Sequence, residues 1–191
     1  MTIRYAMDTT ANHDQLLDPL TAFAPTGGAG NLRAEPVEGR DMPQPYRDLL
    51  VHDHDMTSTL EAHYGRVIRL HVLGRVVHDD VLLRRVVLAA GTDGPPVEYG
   101  AIRIVLSCFE GAVREQVREG QRPLGAILAA FNVDYCSRPV GFFAVEPDQD
   151  MMADLSMHEP AMLFGRRNVL TAGDGRLIAD VVEILASTSS K

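Results

Sequence analysis

The chain has 191 residues, a formal net charge of −8, 46% apolar residues and 6% aromatic ones, a balance that suits one globular domain with one core. No apolar run approaches the roughly 18 to 20 residues a membrane span needs, and no basic stretch followed by an apolar core opens the sequence, so the expected setting is the cytoplasm without a membrane partner. The acidic balance argues against nucleic acid, whose phosphates demand a basic face, but leaves room for a small anion held by a few pocket arginines.

Residues 1–44 are rich in Gly, Pro and Thr and read as an N-terminal arm, with one short helix around residues 13–23. Gly27 to Gly30 lack the Lys-Ser/Thr that a phosphate loop requires. The pattern sharpens at Asp55, a side chain able to cap a helix over residues 56–64, with Met56 and Leu60 on one face and Gly65 as the stop. Residues 67–73 alternate like a half-buried strand, and residues 81–88 form another. A Gly/Pro turn at 90–96 then returns the chain as a third strand over 97–107, antiparallel to the second. Residues 111–119 and 123–131 predict two helices joined by a tight connection at 119–122, with Pro123 suited to a first turn. A strand over 140–145 and a brief helix over 148–155 precede a closing hairpin of 162–170 and 177–185, turned by Asp174-Gly175. The expected class is α+β: a single antiparallel sheet of about six strands with helices on one side.

Several residues could carry chemistry. Arg84 and Arg85 are neighbours in a strand, so one faces inward, where a buried guanidinium is costly without a salt bridge or a ligand carboxylate. Glu183 lies among Val181, Val182, Ile184 and Leu185, either as an outward edge residue or as a buried carboxyl suited to proton transfer. His52-Asp-His-Asp55 can be read as a metal site or as a solvated hinge ending in a cap; no third ligand falls at a recognisable spacing, so no metal is expected. Cys108 and Cys136 read as free buried thiols. Lys191 is the sole lysine, at the chain end, which disfavours Schiff-base and pyridoxal chemistry. No nucleophile elbow is visible.

The segment 46–65, Arg122-Pro-Leu-Gly125, Leu163-Phe-Gly-Arg-Arg167 and Glu183-Ile-Leu185 together resemble the chorismate pyruvate-lyase family, over residues 45–187. The resemblance implies a chorismate lyase-like fold in which the helices of 111–131 form a flap over an internal ligand cavity. It further implies that Arg84 and Glu183 are catalytic and that Met56, Arg103, Leu124 and Gly125 bind substrate. The implied activity is cofactor-free elimination of pyruvate from chorismate to leave 4-hydroxybenzoate, or the same step on a related cyclic enol-ether carboxylate. The implied partner is a small aromatic or cyclohexadienyl carboxylate. Two departures stand out: Gly100 is followed by Ala101 where the family has arginine, with Arg103 two residues on, and the closing turn is longer, so Asp180 and Val181 compete with Glu183 for the glutamate's place. The alternatives are a non-catalytic small-carboxylate-binding module of the same fold, as in effector domains of some regulators, and a specialised biosynthetic enzyme acting on another substrate.

Overall fold

The protein is described here by a computed structural model covering residues 13–26 and 32–187. Seven strands form one sheet: β1 Ala34–Pro36, β2 Ile68–His78, β3 Val81–Ala90, β4 Pro96–Val105, β5 Cys136–Val145, β6 Leu163–Thr171 and β7 Leu177–Leu185. Their order is β1-β5-β6-β7-β4-β3-β2, with every neighbouring pair antiparallel. The strand beyond the six expected is β1, three residues inside the N-terminal arm and too short to show alternation in sequence. The helices are α1 His13–Leu16, α2 Tyr46–Leu50, α3 Met56–Tyr64, α4 Gly111–Glu119, α5 Leu124–Ala130 and α6 Gln149–Asp154.

Local chemistry sets these boundaries. Asp55 caps α3 by accepting a 2.9 Å hydrogen bond from the Ser58 N–H, and Gly65 ends it at φ +62°, a left-handed conformation that favours glycine. The single helix expected over 13–23 is instead α1 followed by a 3-10 segment, Leu20–Thr26. Pro19 stands between them and has no N–H to continue a helical ladder.

Register decides which side chains meet. Arg84, Val86 and Leu88 of β3 lie opposite Ile102, Gly100 and Glu98 of β4. Gly100 in turn faces Glu183 of β7, which faces Arg166 of β6. Because strand side chains alternate, all these residues share one face of the sheet. Helices α2 to α5 cover that face: Met56 and Leu60 pack with Leu88 and Leu185, while Val117, Leu124, Ile127 and Leu128 pack with Leu82, Ile102 and Ile104. The other face is also covered, contrary to the one-sided expectation. Val87, Tyr99, Ala101, Val182 and Ile184 lie beneath Leu16, Leu17, Leu20, Phe23 and Met151 of α6. Strands β4 and β7 are apolar on both sides, and such a sheet needs two covers.

Candidate ligand site

A cavity of about 90 Å³ lies between the covered sheet face and the first turns of α3 and α5. Met56 and Asp55 wall it from α3, Leu124 and Gly125 from α5, and Tyr135 from the approach to β5. The sheet contributes Arg84, Val86, Leu88, Glu98, Gly100, Ile102, Asn168, Val181 and Glu183. Five of the six residues singled out in the sequence, Met56, Arg84, Leu124, Gly125 and Glu183, therefore line one space. Arg103 does not. It points from the opposite face and makes a two-pronged ion pair with Asp18, both contacts 2.7 Å, beside a second pair of Arg167 with Asp180. Asp180 thus belongs to that network, and Glu183 is the acidic residue of β7 on the cavity face.

Arg84 is 2% exposed. One of its terminal nitrogens donates to the carbonyls of Gly120 at 2.8 Å and Arg122 at 3.0 Å, tying the α4–α5 connection to the sheet. Its Nε is buried without a hydrogen-bond partner, and no ion pair to it is present among the described residues. Burial, with Arg75 nearby, lowers its pKa to about 10, so the guanidinium is still charged at neutral pH. Arg85 points the other way, towards the Tyr99 hydroxyl at 3.4 Å.

Glu183 is ion-paired. Its Oε2 accepts from Nε of the fully buried Arg166 at 2.5 Å. The remaining Arg166 donors reach the carbonyls of Leu50, His52 and His54. This arginine therefore organises the segment between α2 and α3, the polar hinge that includes His52. The His52 ring is committed to that hinge: Nε2–H donates to the Leu49 carbonyl at 2.7 Å, and Nδ1 accepts from the His54 N–H at 3.2 Å. Burial first, then the Arg166 charge, lowers the His52 pKa, which fits this neutral tautomer. No cluster of three His, Cys, Asp or Glu able to hold a metal occurs among the described residues.

Two participants escaped the sequence reading. Arg166 appeared there only as part of a Gly-Arg-Arg motif. Glu98 carries no local signal in the sequence beyond standing two residues from Gly100 on one strand face. It is 4% exposed, and its Oε2 has no hydrogen-bond partner. Burial and then the neighbouring Glu183 charge raise its pKa well above the usual carboxylate range. Its carboxyl lies over Gly100, where the Val182 carbonyl, rather than Glu98, excludes a side chain. A Cβ at Gly100 would lie 2.4 Å from the Val182 carbonyl oxygen and 3.5 Å from Oε1 of Glu98.

The fold defined by this sheet and cavity is the chorismate lyase-like α+β class. Among solved structures, the chain is similar to the effector domain of PhnF from Mycobacterium smegmatis, with 16% identity over 70% of this chain and 88% of that one, at a TM-score of 0.52. It is also similar to the possible transcriptional regulator YydK from Bacillus subtilis, with 8% identity over 65% of this chain and 60% of that one, at a TM-score of 0.51. A third is the gene product SA0254 from Staphylococcus aureus, with 7% identity over 74% of this chain and 98% of that one, at a TM-score of 0.52. At such identities the likeness is one of fold. No protein-family model matches the sequence, and no curated protein matches it.

These findings correct the enzyme expectation. The structures sharing the fold are described as an effector domain and a possible regulator, and none of the three is described as a lyase. In the site itself, Glu183 is engaged by Arg166. Chorismate, pyruvate and 4-hydroxybenzoate lose their support with it. The acidic charge likewise speaks only for this chain's own surface. Among the described residues no helix is long and apolar enough to cross a membrane.

Proposed function

We propose that this chain is a non-catalytic small-molecule-binding module whose cavity takes a small carboxylate or similar anion at Arg84. The observation that carries the reading is a buried guanidinium that lines a cavity and has no anionic partner among the described residues. Buried charges are otherwise paired, because leaving one alone in a low-dielectric interior is costly. Met56 and Leu124 serve as apolar walls, and Gly125 brings the α5 backbone close to the ligand. Arg103 has a different task, holding residues near Asp18 against the far face.

Ligand binding is read as thermal stabilisation in a panel of small aliphatic carboxylates. A binder at a hundred times its Kd adds about 2.7 kcal/mol to stability, a shift of several degrees. Arg84→Gln is expected to remove that shift while the protein stays folded, as followed by circular dichroism. Equal shifts in the wild-type and Arg84→Gln proteins would sink the proposal.

A further inference from the structure

The cavity has a second pole that an anion at Arg84 does not use. Glu98 and Glu183 sit on the same sheet face, with Gly100 between them in register: Gly100 follows Glu98 by two residues on β4 and lies directly opposite Glu183 on β7. The Glu98 carboxyl lies over Gly100, beside Glu183. Arg166 serves Glu183 through Nε and spends its other donors on backbone carbonyls of the hinge and the His52 ring. The buried Oε2 of Glu98 is left without a donor. Glu98 is 4% exposed and lines the cavity. Two carboxyls at one end of the cavity, one of them with a buried oxygen that has no partner, call for a donor from outside the protein.

We infer that the Glu98–Glu183 end of the cavity is a subsite for an ammonium group, so that the ligand is a small zwitterion with its anionic group at Arg84 and its amine at the two carboxyls. The inference rests on the anion-binding reading of Arg84 given above. Charge bookkeeping agrees: with both glutamates ionised, Arg84 and Arg166 balance them, and a zwitterion keeps the sum at zero. A hydroxyl is the weaker fit. A glutamine at position 98 would give a hydroxyl the same hydrogen bonds without placing a second ionisable carboxyl next to Glu183. A metal ion fits less well, because one of the two carboxylates is already engaged by Arg166 and no third ligand is clustered there among the described residues.

Size narrows the class. About 90 Å³ holds roughly six to nine water-sized groups. Ile102, opposite Arg84, lies two residues from Gly100, roughly 7 Å along the strand. A short aliphatic ω-amino acid matches both the volume and the span.

Calorimetric titrations test this with γ-aminobutyrate and ε-aminocaproate, their deaminated partners butyrate and caproate, the hydroxy acid γ-hydroxybutyrate, and butylamine. The amino acids are expected to bind at least tenfold more tightly than the matched carboxylates, and Glu98→Gln is expected to erase that advantage while keeping the weaker carboxylate binding. Repeating the titration in buffers of different ionisation enthalpy gives a second readout. Glu98, whose carboxyl lies beside Glu183 of β7, with Arg166 of β6 beyond and His52 behind Arg166, gives up its proton to meet the amine. Proton release on binding is therefore expected in the wild-type protein and not in Glu98→Gln. Carboxylates or the hydroxy acid binding as tightly as the amino acids overturns the ammonium subsite and leaves the Arg84 reading intact. Butylamine binding in a Glu98-dependent way, with no carboxylate binding, upholds the subsite and overturns the Arg84 reading. No binding by any amine-bearing probe overturns the subsite for this class of ligand.

Discussion

Arg166 does more at one position than any other side chain here. Its guanidinium, fully buried, holds Glu183 through Nε and gathers the carbonyls of Leu50, His52 and His54 through its terminal nitrogens. A lysine could not replace it, because the three-sided contact needs a planar fork rather than a point charge. Arg166→Met leaves the Glu183 carboxylate buried without its cation, a change that typically costs about 3–5 kcal/mol. The double variant Arg166→Met/Glu183→Leu removes both charges and is expected to recover a large part of that loss. Urea unfolding midpoints of the two variants measure the difference. If the single variant is as stable as the wild type, Arg166 does not organise the site.

Single elements show where sequence is informative and where it stops. Helix α3 was legible at both ends because its signals are local: Asp55 caps it, Gly65 closes it, and Met56 and Leu60 repeat on one face. The closing hairpin was legible because Asp174-Gly175 marks its turn. The meeting of Arg84 with Glu183 was suggested only by resemblance. Their proximity depends on register through β4, with Gly100 as the shared partner of Val86 and Glu183, and pairing between distant strands leaves no local trace. Glu98 was missed for the same reason, since its significance comes from a neighbour 85 residues away in sequence. The one-sided packing expectation failed because Leu16, Leu17, Leu20 and Phe23 fall in a Gly/Pro-rich arm whose apolar spacing is not helical throughout. Two predictions belong to these elements. Asp55→Ala removes the α3 cap and is expected to cost about 1 kcal/mol in unfolding free energy. The α4–α5 connection, held by Arg84 through the Gly120 and Arg122 carbonyls, is expected to exchange its amide hydrogens more slowly when an anion stiffens Arg84. Hydrogen exchange with and without a binding carboxylate checks this, and unchanged rates between residues 119 and 123 would separate the cavity from the flap.

The whole molecule is a sheet covered on both faces, and each face carries an ionisable group that sets one limb of its stability with pH. On the far face, the Asp18 carboxyl is pulled below its usual pKa first by the Arg103 hydrogen bonds, against the opposing effect of burial. A depressed carboxyl contributes stability that is complete above the ordinary carboxylate pKa and lost as pH falls through the native value. On the cavity face, Glu98 is shifted the other way, by burial first and then by Glu183. The unfolded chain ionises this residue in the ordinary carboxylate range while the native protein keeps its proton to higher pH. Stability therefore declines as pH rises through the window between those two values, and carries no such penalty below it. The unliganded protein is thus expected to be most stable near the mildly acidic range, falling on both sides. Denaturant midpoints measured from about pH 3 to about pH 9 test the sign. Glu98→Gln should flatten the alkaline decline and raise stability at neutral pH even as it weakens amine binding, whereas Asp18→Asn should lower the plateau and flatten the acid decline. A Glu98→Gln protein that loses stability at neutral pH would mean that the carboxyl is already satisfied in the empty cavity. A gain in stability coupled to a loss of binding instead marks Glu98 as a residue retained for its ligand at a cost to the fold.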